Sequence, residues 1–173
     1  MEEDVFHIRE MVYLTQEARK GLWNFIRAHY SMIDAVKGHI YTGEPLAFLL
    51  DESQIQETIE PYFMARIVDV AQFLRLYPFE GSIRPFHFVV TDPMAEWNNG
   101  IFSVATDREG TVSVTDEPAG KAVELDIQTL SAMLMGYKRP SYLARIERLH
   151  TDKRTLRLLE EIIPDGQPYF SDY

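Results

Sequence analysis

Residues 62–81, YFMARIVDVAQFLRLYPFEG, read as a strand that runs straight into an amphipathic helix. Phe63, Ala65, Ile67 and Asp69 alternate with Met64, Arg66, Val68 and Val70, so both faces of such a strand carry apolar groups. That pattern predicts burial on both sides. Asp69 stands at the N-cap position, where its carboxylate can accept from amides of the first helical turn. Val70, Phe73, Leu74 and Tyr77 fall on one helical face. Pro78 ends the helix and Gly81 opens the next turn. The residues before this stretch read as half of a folding unit, and those after it as a complete small domain.

Upstream, Phe6 to Leu14 alternates as a strand, and Thr15 offers a hydroxyl cap to a helix beginning at Gln16. Ala18, Leu22, Phe25, Ile26 and His29 would form its apolar face, with His29 a histidine at the edge of a core. A second strand is expected over Ile33 to Tyr41, weakened by Gly38. Pro45 is suited to open a short helix over PLAFLLDE. The acidic run from Glu44 to Glu60 reads as a solvated face.

Downstream the pattern becomes a meander. Ile83 to Thr91, Ile101 to Thr106, Thr111 to Thr115 and Lys121 to Asp126 are short and rich in β-branched and aromatic residues, separated by turn chemistry. Asn98-Asn99-Gly100 is the strongest hairpin signal among the turns. An antiparallel sheet of these four strands, joined by Tyr62 to Val68, would have one face covered by helices. Asp126 or Thr129 caps a helix with Ile127, Leu130, Met133, Leu134 and Tyr137 inward. Ser141 starts a second, with Leu143, Ile146 and Leu149 inside. Asp152 starts a third, with Leu156, Leu159, Ile162 and Ile163 inside and Arg154, Arg157, Glu160 and Glu161 outside. The last ten residues, PDGQPYFSDY, are aromatic enough to dock rather than trail in solvent.

The composition bounds the function. The 173 residues are 46% hydrophobic and 12% aromatic, enough for a core, and carry a net charge of −10. Such acidity argues against nucleic acid, whose phosphates reward a basic face, and suits a cationic small molecule better. No stretch reaches the roughly eighteen apolar residues of a membrane span, and the acidic start is unlike a signal peptide, so a cytoplasmic protein is expected. Without cysteine there is no disulfide, thiolate metal site or cysteine nucleophile. His7, His29, His39, His87 and His150 are scattered singly, so no metal site is expected. The chain contains no GxxxxGK[ST], GxGxxG or GxSxG. Phe73, Phe88, Met133 and Leu134 are candidate walls of an apolar cavity under the helices, although a dry packed core is the better explanation of them.

The order PLAFLLDE, YFMARIVDVAQFLRLYPFEG, FHFVVTDPMAEWNNGIFSV, LDIQTLSAMLMGY and PYFSDY resembles the C-terminal portion of Eis-type (enhanced intracellular survival) N-acetyltransferases of the GNAT superfamily. Arg66-Ile67-Val68-Asp69-Val70 and the Asp92…Asn99-Gly100 segment carry most of the likeness, which extends over essentially the whole chain. The resemblance implies an α+β protein. Residues 1–60 would be the last part of a non-catalytic GNAT-like α/β domain, and 61–173 a sterol carrier protein-like domain, an antiparallel sheet covered by helices. It implies acetyl-CoA as cofactor of the intact enzyme, held by a separate N-terminal GNAT catalytic domain whose Arg/Gln-x-x-Gly-x-Gly/Ala loop this chain lacks. The chain is not expected to be active alone. By position, the family's general base, a terminal α-carboxylate, falls on Tyr173, and the acidic residue beside it, which helps hold the amine substrate, on Asp172. A homo-oligomer is expected as well. The rival reading is a stand-alone sterol-carrier-like module binding a lipid or other apolar ligand.

Overall fold

The computed structural model describes residues 4–40, 46–50, 55–60, 63–107, 110–166 and 168. The chain is α+β and divides into two compact units, Met1–Ile59 and Glu60–Tyr173.

In the first unit, β1 (Val5–Ile8) pairs in parallel with β2 (Ala35–Gly38), connected through helix α1 (Gln16–Arg27). Both strands are shorter than the alternation predicts. Thr15 caps α1 as expected, accepting from the Ala18 amide at 3.1 Å. Ile26 is buried on α1, with Trp23 and Arg19 half-buried one and two turns before it, while Ala18, Leu22 and Phe25 are exposed. The protected face is therefore rotated from the predicted one. His29 keeps its place at an aromatic edge: its Nδ1 lies 2.8 Å from the Phe25 carbonyl, and its ring stands against Phe6 and Phe25. A single turn of helix, α2 (Leu46–Leu49), comes next.

The second unit is built on a five-stranded sheet in the order β5-β4-β3-β6-β7. Its members are β3 (Phe86–Thr91), β4 (Gly100–Thr106), β5 (Val112–Thr115), β6 (Lys121–Asp126) and the two-residue β7 (Leu149–His150). The sheet is mixed, which corrects the antiparallel reading: β6 crosses back to pair with β3 in parallel instead of continuing the meander beside β5. Central position explains this. Val123 and Leu125 are buried opposite Phe88 and Val90, an apolar row that an edge strand would leave partly wet.

Residues 63–69 are not a strand, the second correction. Ile67 is buried, but Met64 is 99% exposed and Val68 68%. Side chains hold this backbone where a ladder was expected. The Ile67 amide donates to Ser131 Oγ, the Val70 amide to Asn98 Oδ1, and the Val68 carbonyl accepts from Trp97 Nε1 and Asn98 Nδ2.

Helix α3 (Val70–Leu76) starts where predicted, with Asp69 accepting from the Gln72 amide at 2.9 Å. It lies against β4 and β5. Helix α4 (Ile127–Leu134) covers β3 and β6 and is capped by Asp126, which accepts from Thr129. Gly136, at φ 69°, turns the chain after α4, leaving Tyr137 63% exposed instead of on the inner face. Helix α5 (Pro140–Arg145) begins at Pro140, not Ser141, since proline needs no donor in a first turn. Ile146 is exposed beyond its end, and Leu149 belongs to β7. Helix α6 (Lys153–Ile162) is capped by Asp152, which accepts from the Arg154 and Thr155 amides.

One continuous core joins the inner sheet face to the helices, including Ile67, Leu74, Phe86, Phe88, Val104, Val123, Leu130, Met133, Leu143 and Leu159. Phe86 and Phe88 meet edge to face at 5.1 Å.

Candidate functional site

Two polar constructions in the second unit hold side chains that would be costly to leave unpartnered. The first surrounds Asp92, at the end of β3, whose side chain is fully buried. Arg66 donates to both its oxygens at 2.7 Å, Asn98 Nδ2 to Oδ2 at 3.0 Å, and the amides of Met94 and Ala95 to Oδ1. Burial pushes the carboxyl pKa up, but these donors more than offset it and hold it down at about 2. Asn99 closes the loop by a reciprocal pair with the Asp92 backbone, both bonds 2.7 Å.

The hairpin signalled by Asn98-Asn99-Gly100 is present, since β3 and β4 pair antiparallel across this connection, but this network gives it a longer loop than a tight Asn-Gly turn. Both amide side chains are bonded to Asp92, and Glu96–Asn98 form a turn of 3-10 helix before β4 begins at Gly100. Its work is structural: it ties residues 66–70 to the end of β3.

The second construction lies where α6 ends and the C-terminal segment begins. Arg139, the residue before α5, points all its donors at this place. Its Nε donates to Glu160 Oε2 at 2.9 Å, one terminal nitrogen to the Glu160 carbonyl at 2.7 Å, and the other to the carbonyls of Ile163 and Pro164 at 2.9 and 3.1 Å. Asp165 stands 3.9 Å away. Helix α6 leaves its last carbonyls without helical partners, and a guanidinium there satisfies them while complementing the negative end of the helix. Glu160, expected to face outward, is instead half-buried and also accepts from the Ser141 amide at 2.6 Å. Burial drives its pKa upward, yet the Ser141 and Arg139 donors outweigh this and leave it below the ordinary value. Tyr77 lies nearby, its phenol pushed up to about 12 by burial against the opposing charge of Arg139. The Glu80 amide adds a backbone bond to the Ile162 carbonyl at 2.8 Å.

A separate open groove of about 350 Å³ is lined by Thr91, Glu124, Asp126, Glu147, Arg148 and His150, together with Val89 and Leu125. Arg148 is tied to Asp126 at 2.9 Å. Among the described residues no three histidine, aspartate or glutamate side chains form a metal-binding group, and no helix is long and apolar enough to cross a membrane.

The sequence-predicted site residues are dispersed. Tyr173 and Asp172 lie outside the described residues, as do Tyr169 and Phe170. Phe88, Met133 and Leu134 are packed in the core, and Phe73 packs partly buried against it. None of the four lines the open groove or the smaller cleft of the first unit. Periodicity misses the Arg139–Glu160 construction, because the partners are 21 residues apart and carry no local signature.

Residues 70–171, more than half of the chain, match the sterol carrier protein domain. The chain belongs to the sterol carrier protein domain family. Residues 1–67, ahead of that domain, match an acetyltransferase (GNAT) domain. Among solved structures, a conserved protein of Enterococcus faecalis V583, named a probable N-acyltransferase, is similar at 33% identity and a TM-score of 0.83. The match covers 98% of this sterol carrier family chain and 44% of that one. A GCN5-related N-acetyltransferase of Anabaena variabilis is similar at 28% identity and TM-score 0.77, over 95% of this chain and 42% of its own. Eis1 of Mycobacterium abscessus shares the fold, at 19% identity and TM-score 0.71, over 98% of this chain and 43% of its own. The chain thus spans less than half the length of these structures. Nothing among curated proteins matches it.

Proposed function

We propose that this chain is the non-catalytic C-terminal part of an Eis-like, acetyl-CoA-dependent N-acetyltransferase, shaping the amine-substrate site and supplying its terminal carboxylate as general base. The observation that carries the reading is the match of nearly the whole chain, at 33% identity, to less than half of a conserved protein named a probable N-acyltransferase.

The character of the helix ends supports a cofactor site elsewhere. A pyrophosphate is bound by free amides at a helix N-terminus. Here α3, α4 and α6 each have one or two of those amides taken by the chain's own carboxylates, Asp69, Asp126 and Asp152, whose negative charge opposes a second anion. At α5 the Ser141 amide is taken by Glu160, and at α1 the Ala18 amide by Thr15. Those residues do not fit the pyrophosphate of acetyl-CoA, which belongs in this reading to a GNAT catalytic domain acting as partner.

What the chain would contribute is a base and a positive-charge trap. An α-carboxylate with an ordinary pKa of roughly 3.5 is fully ionised at neutral pH, and accepts a proton from an ammonium only when desolvated or through water. Asp172 beside it would hold the amine before that transfer.

The test is removal of Asp172 and Tyr173 from the intact enzyme, followed by steady-state acetyl transfer to a small amine. Turnover is expected to fall at least about 100-fold, the usual weight of a positioned base. Unchanged turnover would refute the reading. The apolar-ligand alternative draws no support from Phe88, Met133 and Leu134, which are buried side chains of the core itself.

A further inference from the structure

We propose that Arg139 is the positioning residue of the C-terminal carboxylate: its guanidinium fixes the point and direction at which the chain leaves α6, and so where that carboxylate can reach. The inference rests on the terminal-carboxylate reading above and adds to it a residue far along the chain from the base.

The geometry points this way because the guanidinium binds backbone carbonyls as well as a carboxylate. Three of its bonds go to the carbonyls of Glu160, Ile163 and Pro164, the last helical turn and the first residues past it. Only the bonds to the Glu160 carboxylate and the long approach to Asp165 involve side chains. A group that merely pinned α6 to α5 would need the Glu160 pair alone. Holding the carbonyls of 163 and 164 as well orients the peptide planes of the exit. Glu160 in turn is held by the Ser141 amide, so the fork cannot swing away from α5 without breaking that bond. Lysine could supply the charge here but not the planar set of parallel donors.

Beyond Pro164 nine residues remain, and a fully extended chain of that length reaches about 30 Å. Rotation of the exit peptides at 163 and 164 changes the set of positions its end can reach, and misplacement of a reacting group by about 1 Å already loses up to about 100-fold in rate.

The experiment is a cycle in the intact enzyme: Arg139→Ala, Arg139→Lys, deletion of Asp172 and Tyr173, and Arg139→Ala combined with the deletion. The readouts are kcat and KM for acetyl-CoA and a small amine, together with hydrogen exchange over residues 160–168 and the thermal midpoint. Arg139→Ala is expected to lower kcat about 10- to 100-fold with KM for acetyl-CoA unchanged. Exchange at 163–165 should quicken, and Arg139→Lys should recover part of the rate. In the truncated enzyme the same substitution should change turnover little, because there is no carboxylate left to misplace.

Equal fold losses in intact and truncated enzyme would overturn the proposal and assign Arg139 to general folding. Unchanged kcat in Arg139→Ala, with the truncation still damaging, would overturn the proposal alone. A harmless truncation would remove the terminal-carboxylate reading and the proposal with it. If Arg139→Ala does not fold, Arg139→Lys decides: wild-type kcat there with unaltered exchange at 163–165 counts against the proposal.

Discussion

The two units of the chain use apolar residues in opposite ways. In the second, the sheet and helices α3 to α6 close over a core running from Ile67 to Ile163. In the first, Ile26 is the one buried hydrophobic residue among those described, while Leu14 is 96% and Phe25 59% exposed. Hydrophobic content alone therefore does not decide whether a segment has a core. Two four-residue strands and one twelve-residue helix offer few inward positions, whereas a five-stranded sheet with four helices packed around it offers many.

The comparison breaks most readily in the core. Phe88→Ala or Leu74→Ala removes a side chain with no exposed surface, and should destabilise the second unit by about 3–5 kcal/mol in urea unfolding. Phe25→Ala, on an exposed side chain of the first unit, should change stability by no more than about 1 kcal/mol. Equal losses at Phe25 and Phe88 would mean that the first unit has a core of its own.

Next in size is a pair of glycines within the second unit. Gly120 and Gly81 both have φ 69°, so alanine is strained at either. They differ in surroundings: a Cβ on Gly81 meets nothing, whereas one on Gly120 would lie 1.7 Å from the Pro85 carbonyl oxygen. Gly81→Ala is expected to cost about 1 kcal/mol. Gly120→Ala should cost more than about 2 kcal/mol, since the connection into β6 must shift. Similar losses at both would show that the β5–β6 connection yields freely.

How far the sequence discloses this structure depends on the distance over which each bond acts. The caps at Thr15, Asp69, Asp126 and Asp152 are readable because acceptor and donor lie two or three residues apart. The face of α3 is readable from its period. The partner of β6 is not, since Lys121–Asp126 has the same alternation whether it lies beside β5 or β3. Residues 62–68 mislead for a related reason. Apolar alternation there suggests a ladder, but Ser131 and Asn98, which hold the backbone instead, are 64 and 28 residues away from the amides they accept. At the candidate site, the resemblance singles out the terminal residues by position, and the Arg139 clamp could come only from three-dimensional structure.

A smaller effect is expected from acid. Asp92 is ordinarily protonated below about 3.8, but in the folded chain only below about 2. Its folded pKa is depressed, so its contribution is present above the ordinary value and lost as pH falls from there toward 2. Asp92→Asn should lower the thermal midpoint at pH 7 by on the order of 5 °C, and the gap to wild type should narrow between about pH 4 and pH 2. A gap independent of pH would assign the loss to packing rather than to the carboxylate.

The smallest effects separate the units by their caps. Thr15→Ala removes the hydroxyl that accepts the Ala18 amide, and Asp126→Ala the carboxylate that accepts the Thr129 amide at 2.7 Å. Each change is worth about 1 kcal/mol by its chemistry, but the readouts should differ. Helix α4 is packed into the core, so loss of its cap is shared by the whole cooperative unit and should lower the main thermal midpoint. Helix α1 has little beneath it except Ile26, so loss of Thr15 should fray the helix locally and reduce far-UV helicity without moving that midpoint. A midpoint that falls equally in both variants would show that α1 unfolds together with the core, and the contrast between the units would then hold for burial but not for cooperativity.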